Sequence, residues 1–220
     1  MKTRFIFMFP VILILFALGC TTTRTLELAY KPGQQIRNPE PAGLKIAIIP
    51  FEDDTWNGQE NAYWVGKAPL YGIKLYAPQT ISYLVTRGVK REMEAYGYQL
   101  STDEIYTMQI NRNDLGTLLK KIPHLNVDLL VGGTITHFFV EQVGRLIADV
   151  EMDAYIIRPP SGELVWSKKI GHREVRIPYL PDDFSFYSEL ILNTLMKKTI
   201  EDLFRNSDFN KKAALLKSGS

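Results

Sequence analysis

The chain holds a single cysteine, Cys20. One thiol cannot close an intrachain disulfide, so the fold must be held by packing alone. Histidine is nearly as scarce. His124, His137 and His172 stand far apart, with no His-x-x-x-His spacing or carboxylate-spaced partner, and no metal site is expected from them. A Gly-x-Ser-x-Gly elbow, a phosphate-binding Walker loop and a dinucleotide fingerprint are all missing. Their absence argues against an enzyme and against a bound cofactor. No internal repeat or low-complexity block occurs. An excess of one charge is lacking too: the 26 basic residues face 24 acidic ones, and two of the basic residues, Lys2 and Arg4, lie at the extreme amino terminus. Without them the count is 24 against 24. A balanced chain has no electrostatic footprint for a polyanion, which excludes nucleic acid as the expected partner.

What the chain does have begins at that amino terminus. Lys2 and Arg4 precede an almost unbroken apolar run, Phe5 to Leu18, and Ala17-Leu18-Gly19 leads into Cys20. A positive start, a short apolar stretch and small residues before a cut site make a secretory signal peptide. The run falls short of the roughly 20 apolar residues that span a bilayer. A cysteine at the cut site resembles the lipobox of bacterial lipoproteins, with Ala17 and Leu18 in its leading positions. The resemblance implies that the Cys20 thiol carries diacylglycerol and that the mature protein gains further acyl chains such as palmitate. The other readings are an ordinary secreted protein and an uncleaved amino-terminal anchor. Thr21 after the cysteine, where Asp would favour retention at the inner membrane, directs a lipoprotein to the periplasmic face of the outer membrane.

The expected organisation is a signal peptide over 1–19, a lipidated cysteine and tether over 20–43, an αβ domain over 44–209 and a flexible tail over 210–220. Hydrophobic residues make up 45% of the chain, enough for one domain with a real core and too many for disorder. Pro32-Gly33, Asn38-Pro39 and Pro41 mark the tether, with a brief alternation at Leu26, Leu28 and Tyr30. Lys45 to Phe51 reads as a buried strand by its β-branched density. Thr55 to Ala77 fits neither helix nor strand period, and such long irregular stretches are usually functional or mobile. Pro78 opens a helix with Ile81, Leu84, Val85, Val89, Met93 and Tyr96 inward, Glu92 outward, and Gly97 as its left-handed cap. Tyr98 to Leu100 is a short strand. Two helical segments follow, one capped by Ser101 or Asp103, the other running from Asn113 or Asp114 to Pro123.

Asp128 to Gln142 is the second core strand, where Gly132 and Gly133 suggest a bulge or the close approach of a helix. Arg145 to Arg158 alternates, with Leu146, Ala148, Val150, Met152, Ala154 and Ile156 inward. Across the turn at Pro159–Gly162, Leu164 to Val175 returns. Setting Ile156 opposite Trp166 places Met152 on Ile170, Asp153 on Lys169 and Asp149 on Arg173, which satisfies both faces at once. Asp183 to Arg205 is the last helix, capped by Asp182 or Asp183. The fold class is α/β (α+β): a single domain with a mixed β-sheet and helices packed on it, ending in a β-hairpin and a C-terminal helix.

Several segments together carry a family likeness. They are Ile46–Phe51 with Asp53, the glycines Gly66 and Gly72, Ile81 to Gly97-Tyr98, Asp128 to Ile135, and Ser161 to Trp166. This pattern resembles the YajG-type family of bacterial lipoproteins. More distantly it is similar to the amino-terminal domain shape of TolB and to CsgG-like and penicillin-binding-protein-activator lipoproteins. The resemblance runs from about Leu28 to Phe209 and implies an αβ domain held on a membrane in the cell envelope, with no known reaction.

Three residue groups are candidates for function. Asp149, Glu151 and Asp153 point one way along a strand but do not converge, so a solvated face paired with Lys169 and Arg173 is expected in place of a metal site. Glu52, Asp53 and Asp54 follow a strand end, where crevices form in αβ sheets; a turn whose carboxylates bond nearby N–H groups is the favoured reading. The aromatics Trp56, Tyr63, Trp64, Tyr71 and Tyr76 form either a docking surface, since Tyr and Trp dominate binding hot spots, or a lid on the core. The function expected is a lipid-anchored periplasmic accessory protein that docks other envelope proteins, alone or as an oligomer, without catalysis. Its alternatives are a subunit of a CsgG-like secretion or channel assembly and a carrier of a small apolar ligand.

Overall fold

A computed structural model describes residues 21–33, 44–101, 127–159, 161–205, 209 and 211. Cys20, His124, most of the expected tail and the two helical segments expected between 101 and 123 lie outside the described residues.

One strand is the spine. β7 (Leu129–Val143) is rich in β-branched and aromatic residues and is buried on both sides along most of its length. Along one edge three short strands pair with it in parallel and in series. β2 (Lys45–Ile48) meets Leu129–Val131, β3 (Glu52–Asp53) meets Thr134–Ile135, and β4 (Trp64–Ala68) meets Val140–Glu141. Its other edge pairs antiparallel with β8 (Arg145–Arg158), which pairs in turn with β9 (Glu163–Arg176). β5 (Ile73–Tyr76) runs antiparallel to β4, β1 (Thr22–Thr25) runs parallel to β5, and β6 (Gln99–Leu100) runs parallel to β2. The result is one mixed sheet of nine strands.

The β8–β9 register is the one that the two-face argument requires. Ile156 faces Trp166, Met152 faces Ile170, Asp153 faces Lys169 and Asp149 faces Arg173. All six inward residues of β8, from Leu146 to Ile156, are buried. They meet the longest helix, α3 (Pro181–Arg205), which buries Phe184, Ile191, Leu192, Leu195, Met196, Ile200, Leu203 and Phe204. The helix begins at Pro181, two residues before the expected Asp183, because proline is well placed at a first helical position. Asp182 and Asp183 fall in its first turn, where carboxylates oppose the positive end of the helix dipole. Tyr187 is only half-buried and stacks on Tyr179.

The stretch expected to be irregular is ordered. Thr55 caps α1 (Trp56–Glu60) by accepting from Gly58 N–H, and β4 and β5 form an antiparallel pair joined by a 3-10 turn at Pro69–Tyr71. The periodicity was hidden because the strands have only five and four residues and a bulge between Trp64 and Gly66 breaks the alternation. Pro78 does not open the next helix. Thr80 caps α2 (Ile81–Ala95), accepting from Tyr83 N–H, and Gly97 takes φ 84 beyond its end. The segment read as tether is folded at its start. β1 lies just before the expected alternation, and Leu26, Leu28 and Tyr30 are buried in the main core.

Gly133 is tight against a ring and not against a helix. A Cβ there would sit 2.3 Å from Phe51 Cε1 and 2.5 Å from the Asp153 carbonyl oxygen. The β7 bulge lies further on, between Ile135 and His137.

Candidate functional site

The sheet has two faces. Helices α2 and α3 cover one, and the other carries His137, Phe139 and Glu141 from β7 with Asp149, Glu151 and Asp153 from β8. α1 and β4 add Trp56, Trp64 and Lys67 beside Phe139. The three rings meet edge to face, with centroids 5.2 Å apart for Trp56–Trp64, 4.9 Å for Trp56–Phe139 and 5.3 Å for Trp64–Phe139. Edge-to-face contact is favourable because each ring's positive rim meets a negative face. Lys67 Nζ lies 5.1 Å from the Trp56 centroid and 3.0 Å from Glu141 Oε1, and Lys74 Nζ lies 5.4 Å from the Trp64 centroid. The amines thus sit within range of cation–π attraction.

The five aromatic candidates are divided by this arrangement. Trp64 is buried, with its indole N–H donating to the Gly66 carbonyl at 2.8 Å. Trp56 stands on it and remains 44% exposed. Tyr76 is opposite Trp64 in the β4–β5 ladder and half-buried, whereas Tyr63 is exposed. Tyr71 is exposed at the 3-10 turn beyond the strand ends. Phe139, the third ring, comes from β7, some 75 residues along the chain from Trp64 by sequence number. Its partnership depends on β4 lying beside β7, which no local pattern encodes.

The acidic turn is held by hydrogen bonds within itself. Asp53 Oδ1 accepts from Thr55 N–H at 3.1 Å and from its hydroxyl at 2.6 Å, and that hydroxyl in turn accepts from Gly58 N–H at 2.8 Å. Burial holds the Asp53 carboxyl above its ordinary range, against the pull of both Thr55 hydrogen bonds. Glu52 is half-buried beside it in β3, and Asp54 is exposed and accepts from Gln59. No group of three His, Cys, Asp or Glu placed to hold a metal occurs among the described residues. On the β8 face Glu151 is the hub. Its Oε1 accepts from Lys169 Nζ at 2.8 Å and the Thr136 hydroxyl at 2.7 Å, and contacts His137 Nδ1 at 3.2 Å. Burial pushes this carboxyl up, but the three partners outweigh it and hold it below its usual range. His172 pairs with Asp202 at 2.8 Å. These histidines are thus held by carboxylates from neighbouring elements.

A cluster that sequence reasoning missed lies between α2, α3 and the amino-terminal segment. Glu92, assigned outward by helical period, is only 3% exposed. The Tyr30 hydroxyl donates to its Oε2, and Arg91 donates to the Tyr30 carbonyl. Burial raises the Glu92 carboxyl, with the Tyr30 hydrogen bond pulling it down and Glu201 pushing it up; Arg205 and Lys197 pull it down more weakly. Burial raises the Tyr30 hydroxyl as well, with Glu92 adding to the effect. These hydrogen bonds tie Tyr30 to α2, and Glu201, Arg205 and Lys197 of α3 act on the same carboxyl through their charge. The available signal was Tyr30 itself, an aromatic in a stretch otherwise composed like a linker.

No protein-family model matches the chain, and no curated protein matches it in sequence. Among solved structures it is similar to protein XCC0632 of Xanthomonas campestris, described by the family model DUF330. The TM-score is 0.53 at 11% identity, over 90% of this chain and 100% of that one. It is less similar to the Chlamydia trachomatis hypothetical protein CT253 (TM-score 0.48, 11% identity, 79% and 98% covered). The Neisseria meningitidis lipoprotein GNA1162 gives a TM-score of 0.41 at 15% identity, over 69% of this chain and 96% of that one. At such identities a likeness speaks only for backbone shape, and what this chain shares with the Xanthomonas protein is its fold.

Proposed function

We propose that this protein is a lipid-anchored, non-catalytic accessory protein of the bacterial envelope, held at the periplasmic face of the outer membrane through acylated Cys20, and that it docks another envelope protein on the Trp56 face. The likeness to YajG-type lipoproteins belongs to this reading. The observation that carries the docking half is Trp56. A large ring supported on two others, with a lysine above it, is left 44% exposed. Rigid aromatic anchors on a polar face supply contact area at low entropic cost. The anchoring half rests on the apolar run that ends at Cys20.

A benzophenone amino acid at position 56, irradiated in the native host, tests the docking. The expected result is one crosslinked envelope protein, absent when the probe stands at position 164. Trp56→Ala should abolish co-purification of that protein. Cys20→Ala should lose both membrane attachment and the crosslink. A bare thiol on Cys20 in the mass spectrum of the mature protein would overturn the anchoring, and identical co-purification by Trp56→Ala and wild type would overturn the docking face.

A further inference from the structure

The way the chain leaves Thr21 has a geometric consequence. Thr22 pairs with Ile73, and its N–H donates to the Gly72 carbonyl at 2.7 Å. β1 is therefore stitched to the sheet beside the 3-10 turn that exposes Leu70 and Tyr71. Cys20 precedes Thr22 by two residues in the sequence, and two residues of chain reach at most roughly 7 Å. An acyl anchor at Cys20 would join the folded body with almost no slack.

Beyond β1 the chain runs beside α3. Arg24 donates to the Ser185 hydroxyl, Glu27 N–H to Glu189 Oε2 and Ala29 N–H to Asn193 Oδ1. Following this track backward from Glu27 to Thr22 covers roughly 16 Å of extended chain. That is about eleven residues of helix, and it brings Thr22 level with the start of α3. At this same end the β7–β8 turn exposes Val143, and Gln142 exchanges hydrogen bonds with the Tyr179 backbone at 2.7 and 3.0 Å. Val175, Ile177, Leu180 and Phe186 are exposed beside it, Ile177 at 83% and Leu180 at 72%. Leu70, Val143, Val175, Ile177, Leu180 and Phe186 thus form an apolar rim around the point where the chain enters from Cys20. Proteins that remain alone in water rarely gather so many bare apolar side chains at one end.

The geometry points to a lipid bilayer as the occupant of this rim: the end of the body that carries the acylated cysteine lies flat on the membrane, its apolar side chains seated among the headgroups. This rests on the anchoring reading above and adds an orientation to it. With the rim down, acyl chains and apolar side chains enter one surface together, and the tether is not needed to reach it. Apolar side chains of this kind enter about 5–10 Å, to the boundary of headgroups and acyl chains. Asp182 and Asp183 in the first turn of α3, and Arg176 with its partner Glu174, stay in the headgroup layer.

The test uses the full chain, processed in a bacterial host and reconstituted into phosphatidylethanolamine–phosphatidylglycerol liposomes. Acylation masks Cys20, so one introduced cysteine takes an environment-sensitive fluorophore. Leu180→Cys and Phe186→Cys report on the rim. Leu164→Cys reports on the far end of β9, roughly 37 Å from Val175 by strand rise. Spin-labelled lipids should quench most of the emission at 180 and 186 and almost none at 164. Label taken up by the wild-type chain, with the protein left in the aqueous phase, would defeat the anchoring reading and this inference together. Liposome-bound protein with equally unquenched labels at 180 and 164 would defeat the orientation alone. A blue shift at 180 that spin-labelled lipid does not quench would also defeat it, by assigning the rim to a protein or to a second copy of this chain.

Discussion

At the scale of single residues the least expected feature is Glu92, a carboxylate that the helical period turns outward and the fold turns in. Tyr30 explains the difference: a side chain from the amino-terminal segment reaches between α2 and α3 and offers a hydroxyl where water would otherwise be. Because burial raises the folded-state pKa of Glu92, the native state binds a proton that the unfolded state has already lost. The sign is then fixed. Stability declines as pH climbs from the unfolded carboxyl value towards the raised one, and stays at the reduced level above it. Glu92→Gln keeps an acceptor for Tyr30 and removes the charge, so urea midpoints for this variant should flatten across pH 4 to 8 relative to wild type. Tyr30→Phe leaves the carboxylate buried without its partner and should cost about 1–3 kcal/mol, more at pH 8 than at pH 5. The outward assignment failed for a physical reason. Period alone gives the side of a helix, and a partner some 60 residues earlier in sequence decides whether a charge there is bare.

Legibility at the scale of elements depended on length. β8 and β9 are 14 residues each, and their pairing was readable because a one-residue slip would bury Lys169 and expose Ile170. α2 was readable from its stripe and from Gly97, though its start lies three residues past Pro78, where Thr80 supplies the cap. β4 and β5 were not readable. Short strands interrupted by a bulge and by Pro69 offer too few alternations to register, and their place in the sheet comes from β7. That placement also builds the aromatic trio, so Trp56 and Trp64 were legible as candidates while Phe139 was not. The clearest test of the spine is Gly133. Its Cβ would meet both the Phe51 ring and the Asp153 backbone oxygen, and only the ring can yield. Gly133→Ala should therefore lose about 1–3 kcal/mol by thermal or urea unfolding. Gly144→Ala makes a useful contrast: it meets no neighbour within 4 Å and pays only for its φ of 68.

The whole molecule joins two surfaces that differ in chemistry, and its charge says how each should behave. Without Lys2 and Arg4 the basic and acidic counts are equal. At the rim end three basic residues, Arg24, Arg145 and Arg176, stand against three acidic ones, Glu174, Asp182 and Asp183, with Arg176 paired to Glu174. A polybasic segment gains roughly 1 kcal/mol per Lys or Arg at an anionic surface, and that gain disappears within a Debye length of about 10 Å at 0.1 M salt. A rim without surplus positive charge has no such gain to lose. Apolar burial, in contrast, scales with area and does not depend on counter-ions. Quenching of the label at position 180 should therefore stay nearly constant when phosphatidylglycerol is left out of the liposomes, and again when salt is raised from 0.05 to 0.5 M. Leu180→Glu and Phe186→Glu, introduced with the label at Val143→Cys, should reduce quenching under every one of these conditions. A steep fall with salt in the wild-type chain would mean that charge holds this end to the bilayer and that the exposed leucine and phenylalanine serve another contact.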